Sequence, residues 1–202
     1  MFTGLIREIA TVKSFAGETL ALSAKYRPGI GDSVAVNGAC LTVTKVLPDG
    51  FEVELSHESR AVLAMENYAG EVHIEPAMKL GDRIEGHILQ GHVDCMGTIE
   101  KIDRKGRMYD YFVSVPEAYR KFMIPKGSVA VDGVSLTIND VTDKGFRLTI
   151  IPHTVENTIF RHYGPGRKVN VETDMFARYL WHMFNKEKKP SWSQVDRIMA
   201  LY

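Results

Sequence analysis

The sequence predicts an all-β fold: two tandem six-stranded Greek-key β-barrels produced by internal duplication, followed by a C-terminal α-helix. Three observations predict it. Ten residues, SVAVNGACLT at 33–42, return as SVAVDGVSLT at 128–137, with seven identities at a constant offset of 95, more than shared composition would give. Short segments rich in Val, Ile, Thr and Leu alternate with period two between Gly, Asp-Gly, Asn-Gly and Lys-Gly turn signals, the pattern of antiparallel strands. An apolar stretch of helical period, DMFARYLWHMF at 174–184, stands after the second copy.

In chain order, TGLIREIATV from Thr3 opens the first copy and QGHVDCMGTI from Gln90 the second, aligned through Gly4 with Gly91 and Thr11 with Thr98. TLALSA, DSVAVNG, CLTVTKV and FEVEL read as strands, and about six per copy suffice to close a small barrel and remove exposed edges. DGFEVELSHES (49–59) lies over KGFRLTIIPHT (144–154), and ESRAVLAMENY and HTVENTIFRHY read as short helical turns. VHIEPAM (72–78) lies over VNVETDM (169–175) after a two-residue slip. The join, EPAMKLGDRIEGHIL, has no Ser- or Pro-rich linker, so the barrels should sit close together. In the tail, Met175, Tyr179, Leu180 and Met183 fall at helical spacing with Asp174 as N-cap. A helix placed after two complete barrels packs either between subunits or onto its own barrel, and both readings stand. NKEKKP ends it, and SWSQVDRIMALY, with Ser191 and Gln194 in capping-box spacing, predicts a second short helix. The expected units are 1–86, 87–173 and 174–202.

Composition excludes several functions. Twenty-five basic and twenty-five acidic residues among 202 give no net charge, so nothing steers the chain to nucleic acid or an anionic membrane. Two cysteines, Cys40 and Cys95, build neither a disulfide framework nor a cysteine metal site and suit a reducing cytosol. MFTGLIREIA lacks a basic segment ahead of a long apolar run, and no stretch approaches eighteen apolar residues, so a soluble, untargeted protein is expected. His87 and His92 are close in sequence but lack partner ligands, and no metal is expected.

The start MFTGLI, the paired NGACLTV and DGVSLTI, the join GHILQGHVD and the segment IPHTVENT together resemble the riboflavin synthase family, over about residues 1–184. The resemblance implies a cytoplasmic homotrimer, an association with lumazine synthase, and a dismutation needing no cofactor or metal. Two molecules of 6,7-dimethyl-8-ribityllumazine give riboflavin and 5-amino-6-(ribitylamino)uracil, one passing a four-carbon unit to the other. The active site is expected where the N-terminal barrel of one subunit faces the C-terminal barrel of a neighbour. On the N-terminal side the resemblance implies substrate contacts at Gly4, Leu5, Ile6, Cys40, Leu41, Thr42, Glu54, Leu55, Ser56, His57, Glu58 and Ser59. On the C-terminal side it implies Gly91, His92, Val93, Lys126, Ser135, Leu136, Thr137, Ile151, Pro152, His153, Thr154, Val155 and Glu156. Cys40, His92, Asp132 and Ser135 are the expected catalytic residues, with Phe2, Ser33 and His87 near the chemistry.

The repeat suits such a reaction, because donor and acceptor are the same compound and a duplicated fold supplies two similar pockets. A free cysteine in an apolar strand is by itself a small buried hydrophobe. The place of Cys40 opposite Ser135 instead suggests a thiolate that adds to the acceptor. His92 replaces apolar Leu5 of the first copy, which favours proton handling. Asn37 and Asp132 each precede Gly, where a turn explains either residue. The turn and catalytic readings of Asp132 stand level, the latter with its carboxylate orienting Ser135. Met175, Tyr179 and Trp181 read as packing residues. Two other classes are expected to fail: a lumazine- or riboflavin-binding optical antenna of the same fold, because GHVD and KGSVAVDGVSLT stand intact, and a small-barrel nucleic-acid binder, because charge and aromatics are not interleaved.

Overall fold

The computed structural model describes residues 1–186, so the helix expected within 191–202 lies outside the described residues. The first copy comprises β1 (Glu8–Ala16), β2 (Thr19–Ser23), β3 (Ser33–Val36), β4 (Ala39–Leu47), β5 (Gly50–Glu54) and β6 (Glu71–Pro76). They close in the order β1-β2-β5-β4-β3-β6. The helix α1 (His57–Val62) and a 3₁₀ turn (Met65–Asn67) separate β5 from β6. The second copy repeats the plan with β7 (Cys95–Lys105), β8 (Met108–Ser114), β9 (Ser128–Val131), β10 (Val134–Val141), β11 (Gly145–Ile150) and β12 (Lys168–Thr173). Its closure follows the same cycle. One turn of helix, α2 (Glu117–Arg120), follows β8, and α3 (Pro152–Glu156) with a 3₁₀ turn (Ile159–His162) occupies the place of α1 and its partner.

The alternation seen in the sequence closes each barrel. Leu20, Leu22, Val34, Val36, Phe51 and Val53 fill one interior; Ile99, Val113, Val129, Val131, Phe146 and Leu148 fill the other. Phe51 and Phe146 are wholly buried repeat equivalents, and truncating either to Ala costs about 3–5 kcal/mol, so each barrel carries its own core. Bulges bend the strands for closure at matching places: Val12/Ser14 in β1 with Ile99/Lys101 in β7, and Val43/Lys45 in β4 with Ile138/Asp140 in β10. A bulge adds twist and curvature, and its repetition shows that the duplication reaches backbone irregularities.

Between the barrels lies a buried polar seam with approximate twofold symmetry. The turn glycines Gly38 and Gly133 abut, a Cβ on Gly38 falling 2.7 Å from the Gly133 nitrogen. Ala64 N donates to Asn170 Oδ1 at 2.8 Å, and equivalently Ile159 N donates to His73 Nε2 at 2.8 Å. Asn170 Nδ2 donates to the Asn37 carbonyl, and His73 Nδ1 meets the Asp132 carbonyl, both at 2.8 Å. Residues 1–4 and 86–91 run antiparallel through this seam, Phe2 and Leu89 exchanging two backbone hydrogen bonds.

The last element among the described residues is α4 (Met175–Lys186), capped by Asp174 Oδ1, which accepts from Phe176 N at 2.7 Å. The capping and the helical stripe follow the sequence reading. Of the two expected positions, the contacts show the helix on its own barrel. Trp181 packs edge-on to Phe122 of its own barrel at 5.8 Å between centroids, with Lys121 Nζ above its ring, while Phe176, Tyr179, Leu180, Met183 and Phe184 stand more than half exposed.

Candidate active site

The segments before β1 and β7 exchange barrels. Gly4, just ahead of β1, accepts from Ser135 N of β10 through its carbonyl at 2.9 Å, whereas the Gly91 carbonyl, just ahead of β7, accepts from Cys40 N of β4 at 2.8 Å. This corrects the expected assignment. Gly4 abuts Ser135 of the C-terminal barrel and Ile6 packs against that barrel's core, whereas Gly91, His92 and Val93 line a groove with Cys40. Both glycines have φ of +76°, and a Cβ at either would lie 2.5 Å from the Cβ of the facing Ser135 or Cys40. Only glycine lets these backbones approach so closely.

On the N-terminal barrel, Ala39, Cys40, Glu58, Ser59, Val62, Leu63, Gly91, His92 and Val93 line one groove of about 320 Å³. The Ser56 hydroxyl caps α1 by accepting from Ser59 N at 3.1 Å, which fixes the wall carrying His57, Glu58 and Ser59. Cys40 is half-buried and His92 exposed at this opening, while Cys95 is buried and burial pushes its thiol up to about 12. Leu41 and Leu55 turn into the core; Thr42 and Glu54 stay at the surface.

On the C-terminal barrel, Ser135 Oγ lies 2.7 Å from His87 Nδ1. Burial lowers the pKa of the His87 imidazole, with Asp174 opposing, which favours the neutral ring, and among the described residues its buried Nε2 has no hydrogen-bond partner. The His87 backbone is itself held by the Thr3 carbonyl at 3.1 Å. Ser135 therefore takes its partner from His87 and not from Asp132, as the sequence had suggested. Asp132 is wholly buried at φ 45° in the seam turn, its carboxylate accepting from Asn170 N at 2.7 Å and from the Tyr163 hydroxyl. Leu136 joins the core and Thr137 is exposed. Lys126 is exposed at φ 67°, its N donating to the Ile138 carbonyl. Pro152 starts α3 after Ile151, the His153 carbonyl accepts from Asn157 Nδ2, and the Thr154 carbonyl accepts from the Thr158 hydroxyl; Val155 packs on the core and Glu156 is exposed. Phe2 fills the seam with Leu89, Ala35 and Ala130. Ser33 pairs with Thr42 across β3 and β4.

Two residues the sequence reading missed hold the exchanged segments. Glu75 Oε1 accepts from Thr3 N and Oγ1, both at 2.8 Å, and its Oε2 from Gly4 N at 3.0 Å. Glu172 Oε1 accepts from Gln90 N at 2.7 Å and its Oε2 from Gly91 N at 3.0 Å. Both carboxylates are under 5 % exposed. Hydrogen bonds to a charged group contribute about 1.5–3 kcal/mol each, against a desolvation penalty of several kcal/mol per buried ion. The opposing effects are comparable in size. Burial raises both carboxyls, Glu172 to about 7. The signal was present in VHIEPAM and VNVETDM, where each copy places Glu inside an apolar strand. Among the described residues no group of three or more His, Cys, Asp or Glu could hold a metal ion, and no helix is long and apolar enough to cross a membrane.

The lumazine binding domain matches twice, over residues 3–77 and 90–174. The riboflavin synthase of Photobacterium leiognathi is 39% identical over 201 residues, covering 95% of this chain and 92% of that protein. That of Bacillus subtilis is 37% identical over 195 residues, covering 92% and 91%. The crystal structure of LumP complexed with riboflavin is similar with a TM-score of 0.76 at 19% identity, covering 86% of this chain and 100% of that one, a likeness of fold. With both barrels matched as lumazine binding domains and this identity running along nearly all of its length, the chain belongs to the riboflavin synthase family.

Proposed function

We propose that this chain converts two molecules of 6,7-dimethyl-8-ribityllumazine into riboflavin and 5-amino-6-(ribitylamino)uracil, each barrel holding one lumazine. The observation that carries this reading is the reciprocal exchange, which gives both barrels an equivalent binding region but different side chains: Cys40 with His92 on one, Ser135 with His87 on the other. Identical substrates in unlike surroundings are what a dismutation requires. In the C-terminal pocket, neutral His87 takes up a proton through Ser135 Oγ from the methyl group of the lumazine there, leaving a carbanion. In the N-terminal groove, the Cys40 sulfur adds to the electrophilic C=N carbon of the other lumazine, the π electrons and the proton going to nitrogen. The carbanion then forms the C–C bond that joins the two molecules, and sulfur later leaves as the C–S bond breaks. Backbone N–H and C=O groups of the strands read the uracil-like edge, and hydroxyls such as those of Ser59 and Thr154 read the ribityl chains.

The two pockets meet across subunits in this reading, as a homotrimer, and the exposed apolar side of α4 supports it. The cysteines Cys40 and Cys95, both free, suit a cytoplasmic enzyme; its association with lumazine synthase is tested by co-sedimentation. Incubation with the dimethyl-ribityllumazine alone tests the function. Riboflavin absorbance and fluorescence should appear with one pyrimidine per flavin. A stable fluorescent complex that never yields riboflavin would assign the chain to the antenna class.

A further inference from the structure

Glu75 and Glu172 are repeat equivalents, yet among the described residues only the segment held by Glu172 is also braced by the tail helix. Asp94 Oδ2 accepts from Thr173 N and Oγ1 at 2.7 Å, tying the start of β7 to the end of β12. Asp94 Oδ1 accepts from Arg178 Nη1 at 2.8 Å, and Arg178 Nη2 donates to Gln90 Oε1 at 2.7 Å. Arg178 lies on α4, and its repeat counterpart is Gly81, which has no side chain; the counterpart of Asp94 is Arg7. The first copy therefore holds its exchanged segment by one carboxylate, and the second by a carboxylate plus a bridge from the tail helix.

We propose that Arg178, acting through Gln90, Asp94 and Glu172, is a positioning residue that sets the Gly91–Val93 wall of the Cys40 groove and so couples the seating of α4 to that pocket. The path is short. Arg178 fixes the Gln90 side chain, Glu172 fixes the Gln90 and Gly91 N–H groups, and the Gly91 carbonyl accepts from Cys40 N. Charge supports the geometry. Arg178 and the two N–H donors favour ionised Glu172, while burial and Asp94 oppose it. Without the guanidinium, Glu172 takes up a proton at higher pH, and one oxygen that accepted from Gly91 or Gln90 becomes a hydroxyl facing a donor. The grip on the wall loosens.

This inference rests on the reading that the Cys40 groove holds substrate, and two separate readouts keep them apart. The rate of Cys40 modification by a small thiol reagent reports the wall directly, since Cys95 is 5% exposed with its thiol pushed up to about 12. Steady-state kinetics report the function. In the full-length chain, Arg178→Met should raise the Cys40 modification rate about tenfold and lower kcat by up to the roughly 10²-fold that a 1 Å misplacement costs. The acid limb of kcat should move to higher pH. Arg178→Lys, able to reach one of its two partners, should restore part of each effect. Gln90→Met leaves α4 untouched and should reproduce the change in Cys40 reactivity with sedimentation unaltered. Unchanged Cys40 reactivity in both Arg178→Met and Gln90→Met overturns the proposal. Altered reactivity with unchanged kcat upholds the positioning role and instead removes the groove from the chemistry.

Discussion

Asp132 and Asn37 occupy the same turn in the two copies, and a single group separates what they do. Each accepts from the backbone N–H of the equivalent residue, Asn170 or His73, across its own barrel. Asn37 spends its remaining group on the Asn67 carbonyl, whereas Asp132 needs the Tyr163 hydroxyl. Burial raises Asp132 to about 6 and lowers His73 to about 4. His73 is held neutral by geometry as well, since Ile159 N donates to Nε2 and the ring proton must sit on Nδ1 toward the Asp132 carbonyl. The two groups bend the pH dependence of stability in opposite directions. Between about pH 4 and 6, folded Asp132 retains a proton that the unfolded chain has released, so its contribution falls as pH rises. Between 6.5 and about 4 the unfolded chain protonates His73 while the folded chain does not, so that contribution falls as pH drops. Asp132→Asn removes the first and should make stability rise more steeply from pH 4 to 6, read by denaturant titration at each pH. Parallel curves for the variant and wild type would refute the assignment. At the pocket, His87→Ala should lower kcat within about the 10²–10⁴-fold typical of a lost acid or base. Combined with Ser135→Ala it should add little, because the two act as one pair. Full additivity in kcat would separate them.

Strands and turns were legible in the residues because both barrels are built from alternation and glycine punctuation, and no packing detail was needed to read them. The bulges were not, since Lys13 or Glu100 carries no mark distinguishing a bulged residue from an ordinary strand position. The one-turn α2 was likewise too short for a period to show. The exchange of Gly4 and Gly91 was hidden for a different reason. A repeat establishes that two segments are equivalent, but it is equally satisfied whether each completes its own barrel or the other. Only the hydrogen bonds Ser135 N to Gly4 O and Cys40 N to Gly91 O decide it. The consequence at this scale is testable with one methyl group. Gly91→Ala must push the wall away from Cys40, since its Cβ would fall 2.5 Å from the Cys40 Cβ at φ +76°. It should abolish lumazine binding in the N-terminal groove while leaving the C-terminal pocket's affinity within about twofold, as distant sites are nearly additive. Ligand titration followed by fluorescence counts the two sites. Gly106→Ala shares a positive φ of 63° but meets nothing within 4 Å, and so controls for backbone strain. Equal stoichiometry in both variants would contradict the close approach.

Across the molecule as a whole, α4 carries a run of exposed apolar side chains and also reaches Gln90 and Asp94 beside the Cys40 groove. Each barrel holds its own core, the seam between them is satisfied by reciprocal hydrogen bonds, and α4 is tied down on one side by Trp181 and Arg178. What remains is the run Phe176, Tyr179, Leu180, Met183 and Phe184, each more than half exposed, on the helix whose Arg178 braces the Cys40 groove. Contiguous apolar side chains of this kind mark an association surface. In the proposed reading a second copy of the chain covers this surface, and the Cys40 pocket of one subunit presents its ligand to the Ser135 pocket of the next. Leu180→Glu with Met183→Glu places two charges on that surface without touching Trp181 or Arg178. The variant should sediment as a smaller species than wild type and keep lumazine binding in both pockets. Its turnover should fall at low protein concentration and recover in part at high concentration, as expected when assembly and activity are linked by mass action. Unaltered sedimentation with full activity would show that α4 does not join subunits and that the two pockets react by some other juxtaposition.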